Sequence, residues 1–403
     1  MSRVALSLVA ASLGAQSFQP VLDSIKADQA WTLEQQISIC EIPAPSFKET
    51  KRGEEWARRM RALGFTDIRT DSEGNVISLY PGSKQAKPLI VFSAHLDTVS
   101  PEGMDVKVRK EGTQHHGLGI GDDCRGLAVV LTVAKAFQKH KVALDANVLF
   151  VATVGEEGQG DLRGVRHLFT KELKGQIDAF ISIDGTGNRL TARGVGSNRY
   201  LVTYKGKGGH SYGSFGMPNP AHAMGRAMAR IADIQVPKSP KTTFNIGRVE
   251  GGTSVNSIPI STSMEIDLRS ESAKELAALD ERIRAALQVA LDAEKKRWPE
   301  SKAPLELDIK TMGLRPATEP PDSLPIVQKA LAPAKQAGVP IFATGAGSTD
   351  SNIPMNLGIP AVTLAGGGNA QGAHSSDEWY EDTPDSYKAV QWAALLLKSL
   401  SEK

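Results

Sequence analysis

Cysteine is scarce in this chain: Cys40 and Cys124 are the only two among 403 residues. Two thiols are too few for the disulfide framework that stabilises small secreted proteins. They also exclude a zinc site made of four thiolates. Any metal bound by this protein must therefore be held by histidine and carboxylate side chains.

Long apolar runs and a strong excess of one charge are absent as well. No run reaches the roughly 18 apolar residues that a transmembrane helix requires. The formal net charge is only +2, and no cluster of basic residues stands out. Because nucleic-acid and membrane-surface proteins carry basic patches, we expect neither nucleic acid nor a membrane as a partner.

The N-terminus resembles a leader sequence. Residues 1–20 contain one early arginine, an uncharged apolar run, and the small residues Ser12 and Gly14, so they are predicted to be a signal peptide. The alternative is a helix at the N-terminus of the mature chain. Localisation stays open on this evidence, and a periplasmic or secreted location is favoured over the cytoplasm.

The length and the apolar pattern predict two domains. Apolar strands alternate with helical segments over residues 21–195 and again over 314–403, which predicts one α/β domain with a mostly parallel sheet. Residues 196–313 read as strand, helix, strand, strand, helix, strand, the order of a ferredoxin-like unit. We therefore expect a small α+β domain inserted into a larger α/β domain.

Polar side chains follow the apolar strands of the larger domain. Ligand sites in open parallel sheets lie beyond the carboxyl ends of the strands. Adjacent carboxylates after a buried strand are costly unless a cation lies between them. The residues at these positions are His95, Asp97, Asp122, Asp123, Glu156, Glu157, Asp184 and His374.

Two divalent metals that share one carboxylate would balance such a set of charges. Zinc accepts both imidazole nitrogen and carboxylate oxygen, and a pair of metals can activate water and stabilise an oxyanion. A carboxylate left off the metals can serve as the general base. Asp97 lies two residues after His95 and can fix the tautomer of that imidazole.

Eight motifs in order resemble one enzyme family. They are "SAHLDTV", "GLGIGDDCRG", "VGEEG", "SIDG", "KGKGGHS", "GGTSVNSIP", "DLRS" and "GAHSSDEW". The chain is similar to the metallopeptidases and deacylases that include peptidase T, carboxypeptidase G, succinyl-diaminopimelate desuccinylase and aminoacylase. The resemblance covers nearly everything after residue 40. It implies a three-layer zinc-exopeptidase-like catalytic domain, with residues 196–313 as a lid and dimerisation domain.

The resemblance also implies a role for each metal-site residue. Asp122 would bridge two metals, His95 and Asp184 would bind one of them, and Glu157 and His374 the other. Glu156 would be the general base. The Asp122–Asp123 peptide would be cis, and Asp123 is either a further site residue or a structural carboxylate.

Three residues outside the metal set are candidates for binding substrate. The resemblance implies that His210 contacts the oxyanion from the lid, which is often the lid of a partner subunit. It also implies that Arg269 binds a carboxylate of the substrate and that Asn256 binds the substrate or the oxyanion. Each also has a simpler interpretation, as an exposed loop histidine, a surface arginine and a turn residue. Cys124, directly after the aspartate pair, could bind metal or be oxidised.

Residues 209–213 match the Gly-x-Ser-x-Gly pattern of serine hydrolases, with Ser211 at the centre. A nucleophile elbow requires a buried strand before the serine and a helix directly after it. Here Pro218 and Pro220 block an immediate helix. Ser211 is therefore not predicted to be a nucleophile.

These observations predict a homodimeric metal-dependent hydrolase of amide bonds. The preferred form is an aminopeptidase or dipeptidase for short peptides, with two zinc ions, a metal-bound hydroxide as nucleophile and Glu156 as base; cobalt or manganese would suit the same ligands. One alternative is an N-acyl-amino-acid deacylase or desuccinylase with the same site. A more remote one is a non-catalytic peptide-binding relative, against which the intact Glu156 and ligand set argue.

Overall fold

A computed structural model of the chain describes residues 17–84, 87–341 and 344–402. Most of the predicted signal peptide, residues 1–16, lies outside the described residues. Phe18 precedes the first helix, and its ring packs edge-on against Phe137 with the centroids 6.1 Å apart. None of the helices in the described part of the chain is long and apolar enough to cross a membrane.

The strands, in chain order, are β1 (Ile68–Thr70), β2 (Val76–Tyr80), β3 (Leu89–His95), β4 (Arg109–Glu111), β5 (Gln114–His116), β6 (Asn147–Thr153), β7 (Ala179–Ile183), β8 (Leu190–Gly194), β9 (Gly196–Gly206), β10 (Gly209–His210), β11 (Thr242–Gly251), β12 (Ser257–Ile258), β13 (Ser261–Ser270), β14 (Leu305–Arg315), β15 (Thr344–Gly347), β16 (Ala361–Leu364), β17 (Asn369–Gln371) and β18 (Trp379–Glu381). The helices are α1 (Gln19–Ala27), α2 (Gln29–Cys40), α3 (Thr50–Ala62), α4 (Cys124–His140), α5 (Arg163–His167), α6 (Pro220–Ala232), α7 (Ala273–Arg297), α8 (Pro325–Ala337), α9 (Asn352–Asn356) and α10 (Tyr387–Ser401). A 3₁₀ turn spans Gly158–Gly160, and a π-helical turn spans Leu168–Glu172.

The large sheet has the strand order β1-β2-β6-β3-β7-β16-β8-β15. Its central strands β6, β3, β7 and β16 run parallel, whereas β1, β2 and the β16–β8 contact are antiparallel. The central strands are buried almost throughout because hydrophobic clusters cover both faces of the sheet. The predicted α/β class with a mostly parallel sheet is confirmed.

A second sheet, entirely antiparallel, is formed within residues 196–315 in the order β11-β13-β9-β14. Helices α6 and α7 pack on one face and close a separate core that contains Tyr204, Leu268 and Leu287. This is the arrangement of a ferredoxin-like unit. The domain boundaries at residues 195 and 313, and a role of this unit as a lid, stay predictions.

Two smaller sheets complete the structure. The strands β17, β18, β5 and β4 form an antiparallel sheet next to the large one, and β10 pairs with β12 in a two-stranded ribbon. Neither sheet was predicted from the sequence. The loop that carries the predicted ligand His374 lies within the first of them, and the second carries His210 close to Asn256.

Candidate metal centre

The carboxyl ends of three parallel strands deliver most of the predicted metal-site residues to one place. His95 ends β3, Glu156 and Glu157 follow β6, and Asp184 follows β7. The strands are in register, since His95 lies opposite Thr153 at the end of β6. Asp122 comes from the loop before α4, and His374 from the loop between β17 and β18. Parallel pairing therefore gathers residues that are far apart in the sequence.

His95, Glu156 and Glu157 form one group of donor atoms, and two further groups share Asp122. The first of these two is His95, Asp122 and Asp184, the second is Asp122, Glu157 and His374, and within each the donor atoms lie within 4.8 Å of one another. Asp122 Oδ1 lies 3.1 Å from His95 Nε2, and Oδ2 lies 3.0 Å from His374 Nε2. His374 Nε2 is also 3.0 Å from Glu157 Oε1. One carboxylate thus faces two imidazoles, one through each oxygen.

Protonation of these groups shows how much positive charge the cluster attracts. Hydrogen bonds that His374 donates to Asp122 and Glu157 raise the pKa of this histidine to about 10. Burial, together with the charge of Asp122, raises the pKa of Asp184 to about 7. Without cations the cluster therefore binds protons, because buried like charges must be compensated. Histidine and carboxylate donors in two groups with a shared aspartate fit a pair of divalent cations.

The main chain around Asp122 is held by Glu378. The Glu378 carboxylate accepts hydrogen bonds from the N–H groups of Gly119 and Gly121, both at 2.8 Å, and from Asp122 N at 3.3 Å. Burial raises the pKa of Glu378 to about 7. The Asp122–Asp123 peptide is cis, as the family resemblance implies. Glu378 lies in the motif "GAHSSDEW", but the motif alone gave it no role.

Asp123 has a structural position. Its Oδ1 accepts from Gly126 N at 3.0 Å and so caps helix α4, and its Oδ2 accepts from His95 N at 3.1 Å. A Cβ on Gly126 would come within 2.2 Å of this carboxylate, which explains the glycine there. Cys124 begins α4 and is buried beside Cys40, and it joins neither donor group.

Asp97 lies behind His95, as the two-residue spacing predicts. His95 Nδ1 is 2.9 Å from the Asp97 main-chain oxygen and 3.6 Å from Oδ1, so that Nδ1–H can donate and Nε2 can face the donor group. The Asp97 carboxylate itself accepts from Glu156 N at 2.9 Å, Glu157 N at 3.0 Å and Ser46 Oγ at 2.7 Å. Burial alone would raise the pKa of Asp97, but its hydrogen bonds with His95, Ser46 and Glu157 N lower it. This carboxylate therefore fixes the turn that carries both glutamates.

Glu156 is buried and paired with an arginine that the sequence analysis missed. Its Oε1 lies 2.9 Å from Arg315 Nη1, and Arg315 Nη2 donates to its main-chain oxygen. Burial raises the pKa of Glu156, and the positive charge of Arg315 opposes that effect. Arg315 is the last residue of β14, a strand on which many of the residues are exposed. In the sequence it resembles an ordinary surface arginine, so no pattern pointed to it.

A cavity of about 270 Å³ opens above the donor groups. It is lined by Glu156, by the segment 346–349 and by four arginines, Arg189, Arg199, Arg269 and Arg315. Four of the five predicted metal ligands also line it, namely Asp122, Glu157, Asp184 and His374, whereas His95 does not. Arg269 was predicted to bind substrate, and it lines this cavity. Ligand pockets of this size, near the lower end of the usual range of about 300 to 1,000 Å³, fit small molecules.

The other two predicted substrate-binding residues lie elsewhere on the same chain. His210 and Asn256 are exposed on the β10–β12 ribbon and are not among the residues that line the cavity. His210 Nδ1 accepts from the N–H groups of Tyr212 and Gly213 at 3.2 and 3.3 Å. Ser211 is followed by turns, and helix α6 begins only at Pro220, so the elbow context is absent.

An α/β sheet whose strand ends gather histidines and carboxylates around one cavity is typical of metal-dependent hydrolases. A family model described as "Peptidase family M20/M25/M40" matches residues 91–399, and the chain belongs to that family. It is a hydrolase of peptide and other amide bonds, as predicted.

Similar proteins agree with this assignment. The chain is 29% identical to a putative succinyl-diaminopimelate desuccinylase from Mycobacterium tuberculosis over 356 residues, which cover 86% of this chain and 92% of that protein. It is 28% identical to carboxypeptidase G2 from Pseudomonas sp. over 362 residues, covering 85% and 81%. The structure of the aminopeptidase PepT from Bacillus cereus matches with a TM-score of 0.70 at 21% identity, covering 92% and 99% of the two chains.

Proposed function

We propose that this protein is a two-metal exopeptidase, an aminopeptidase or dipeptidase that hydrolyses dipeptides and other short peptides. The observation that carries the proposal is the position of Asp122. One of its carboxylate oxygens faces His95 and the other faces His374. These two histidines belong to the two donor groups that share Asp122. His95 and Asp184 would hold one metal, Glu157 and His374 the other, and Asp122 both. Zinc is the proposed metal, and cobalt or manganese suits the same ligands.

The proposed mechanism assigns proton transfer to Glu156. When bound, the metals supply the positive charge that activates a water molecule and stabilises the oxyanion. Arg315 occupies Oε1 of Glu156 and leaves Oε2 free to accept the proton of the attacking water. The same oxygen then delivers the proton to the leaving amine. Arg269, which lines the cavity, would orient the substrate through a carboxylate.

We further propose that the active form is a homodimer in which His210 serves the site of the partner subunit. Large apolar side chains are exposed around His210 and Asn256, namely Tyr212, Phe215, Val255 and Ile260. Such a patch is characteristic of a protein interface. The Nδ1 atom of His210 accepts main-chain hydrogen bonds, so Nε2 carries the proton and can donate to an oxyanion.

A mixing experiment tests this arrangement. His210→Ala and Glu156→Gln should each be inactive alone, and co-refolding the two should restore activity, because the mixed dimer contains one intact site. Failure to restore activity in proven mixed dimers contradicts a role in the partner's site, and a monomer by analytical ultracentrifugation contradicts the dimer.

The function itself is tested by one hydrolysis screen read by mass spectrometry. The metal-loaded protein is incubated with dipeptides, tripeptides and N-acyl amino acids, with and without a chelator. Chelator-sensitive cleavage of peptides, lost in Glu156→Gln, is the expected result. Cleavage that survives complete metal removal would overturn the two-metal mechanism.

Hydrolysis of N-acyl amino acids is the second candidate, and one observation favours it. Every carboxylate that lines the cavity is either a proposed metal ligand or, like Glu156, paired with Arg315. None is left to bind the free ammonium group of a peptide. Cleavage of the acylated compounds alone, in the same screen, would select this candidate.

Export from the cytoplasm is also a proposal, which rests on the apolar leader at residues 1–20. Mass spectrometry of the N-terminus of the protein from fractionated cells tests it. An intact Met1 in the cytoplasmic fraction would contradict it.

A further inference from the structure

Three arginines of the cavity have one hydrogen-bonded carboxylate between them in the described structure. We call Arg189, Arg199 and Arg269 the arginine wall. Arg315 is separate, because Glu156 neutralises it. Within the arginine wall, Arg199 and Arg269 both form an ion pair with the carboxylate of Asp267. Arg189 has no hydrogen-bond acceptor for its guanidinium among the residues that the structure describes.

Strand register places two of these arginines side by side. Asp267 on β13 lies opposite Arg199 on β9, and Arg269 lies two residues further along β13 on the same face. Asp267 Oδ1 accepts from Arg199 Nε at 3.1 Å, and Oδ2 accepts from Arg269 Nε at 2.7 Å. Arg199 also donates to the main-chain oxygen of Gly158 at 2.6 Å. The Nη groups of Arg269 find no acceptor in the described part of the chain.

Arg189 approaches the cavity from the large sheet. It directly precedes β8 and lies next to the turn that carries Asp184, whose pKa its charge lowers in part. A Cβ on Gly185 would lie 3.3 Å from Arg189 Nη2, so the glycine leaves room for the guanidinium. Two arginines with free donors, Arg189 and Arg269, therefore line one small cavity from different sheets.

Bound cations would sharpen this asymmetry. Two divalent ions outweigh the three proposed ligand carboxylates Asp122, Glu157 and Asp184, and the arginine wall adds further positive charge. A guanidinium with free N–H groups binds carboxylates through charge-assisted, often bidentate hydrogen bonds. We infer that the substrate carries two carboxylate groups, one bound by Arg269 and a second bound by Arg189. This inference rests on the proposed function, and it adds a preference for peptides or acylated amino acids that contain an aspartate or glutamate side chain.

Matched substrates test the inference. The metal-loaded protein is assayed with alanyl-glutamate, glutamyl-alanine, alanyl-glutamine and dialanine, and with the N-acetyl forms of glutamate and glutamine. We expect kcat/KM to be on the order of 10- to 100-fold higher for at least one acidic compound than for its neutral counterpart, the effect of one charge-assisted hydrogen-bond pair. Which acidic dipeptide is preferred locates the second carboxylate on the substrate.

Two variants assign the preference to Arg189. Arg189→Gln should abolish the preference, so that kcat/KM for acidic and for neutral substrates becomes equal when both are measured on the same variant. Arg193→Gln is the matched control, because it removes the same charge from β8, the strand that Arg189 directly precedes. Arg193 donates to Thr344 O and pairs with Asp322 outside the cavity. This variant should keep the preference for acidic substrates. Equal kcat/KM for acidic and neutral substrates in the parent protein, or a preference that survives in Arg189→Gln, would overturn the inference.

A binding measurement separates this inference from the proposed function. In the metal-loaded Glu156→Gln protein, calorimetry should show at least one of the acidic compounds binding at least tenfold more tightly than its neutral counterpart, with the difference lost when Arg189→Gln is added. Selective binding without turnover in the parent protein would overturn only the proposed function. Turnover without selective binding would overturn only the requirement for two carboxylates.

Discussion

The guanidinium of Arg315 holds Glu156 by both its side chain and its main chain. Nη1 lies 2.9 Å from Oε1, and Nη2 donates to the main-chain oxygen. Arg315 ends β14, and Arg199, near the start of β9, donates to the main-chain oxygen of Gly158. The chain enters and leaves the four-stranded sheet through these strand ends. These contacts join the four-stranded sheet to the segment that carries Glu156 and Glu157.

Arg315→Lys is expected to lower kcat on the order of 10- to 100-fold with little change in KM. Lysine keeps the charge, but it lacks the planar guanidinium that donates at once to Oε1 and to the main-chain oxygen of Glu156. Metal content should remain at the wild-type level, because Arg315 does not belong to either donor group. Steady-state kinetics with metal analysis check both points.

Arg166→Lys is the matched control for this substitution. Arg166 donates to Leu314 O at 2.9 Å, on the same strand end, but does not contact Glu156. Its kcat should stay near the wild-type value. An equal loss in both variants would mean that the strand end, and not the contact with Glu156, is responsible.

Asp97→Asn is expected to weaken metal binding. An amide offers one acceptor oxygen, whereas Asp97 now accepts from the N–H groups of Glu156 and Glu157 with different oxygens. One N–H would face the amide nitrogen, and Glu157 would lose its fixed position. A loss of about 10- to 100-fold in metal affinity is typical when such a supporting group is removed.

Chelator competition measures the affinity of Asp97→Asn. Ser46→Ala removes only the third hydrogen bond of the same carboxylate, at 2.7 Å, and should have a smaller effect. A wild-type affinity in Asp97→Asn would contradict the supporting role of this carboxylate.

The sequence alone was sufficient for the central sheet, and it predicted candidate donor residues at the ends of its strands. The strands β3, β6 and β7 are buried on both faces, so they appear as uninterrupted apolar runs, and the residues after them fall at one edge. The short strands β4, β5, β17 and β18 carry too few apolar residues to produce such a pattern. Helices α1 and α2, which precede the first motif, were missed as well.

Partners of the site residues were harder to predict because they depend on tertiary contacts. Arg315 and Glu156 are 159 positions apart, and Glu378 is 257 positions from the Gly121 N–H that it accepts from. Ser46 and Arg189 likewise contribute through position and not through a motif. Local spacing carries information about strands and adjacent ligands, but not about which distant charge compensates a buried one.

Removal of single ligands should change the number of bound metals in different ways. Asp122→Ala removes the carboxylate shared by both donor groups, so both metals should be lost or strongly weakened. Asp184→Ala affects only the group with His95, so one metal should remain. Elemental analysis after dialysis measures the stoichiometry, and two metals retained in Asp122→Ala would contradict a shared ligand.

Metal binding should release protons at pH 8. Hydrogen bonds with Asp122 and Glu157 raise the pKa of His374 to about 10, so its imidazole is protonated at pH 8 in the metal-free protein. Binding through Nε2 requires the neutral form, and metal affinity therefore rises with pH below that pKa. Calorimetry in buffers of different ionisation enthalpy measures the proton count, which should fall in His374→Ala. An unchanged count in that variant would contradict the assignment.

Asp350 links the stability of the metal-free protein to pH. Its Oδ2 accepts from Thr153 Oγ1 at 2.6 Å, whereas Oδ1 is buried with no hydrogen-bond partner in the described structure. Burial raises the pKa of Asp350 to about 6. The folded state therefore binds this proton more tightly than the unfolded state, so the contribution of Asp350 to stability falls as the pH rises from about 4 to 6. The shift corresponds to about 3 kcal/mol.

Asp350→Asn removes this titration, although its amide still costs free energy at every pH because a buried donor lacks a partner. Relative to the wild type, the free energy of unfolding of the variant should therefore increase by about 2 kcal/mol between pH 4 and pH 8, because part of the titration lies below pH 4. Urea unfolding of both metal-free proteins across this range measures the difference. Asp308→Asn, at a carboxylate that is 57% exposed, should show no comparable trend. A difference between Asp350→Asn and the wild type that stays constant with pH would mean that Asp350 is already ionised in the folded protein at pH 4.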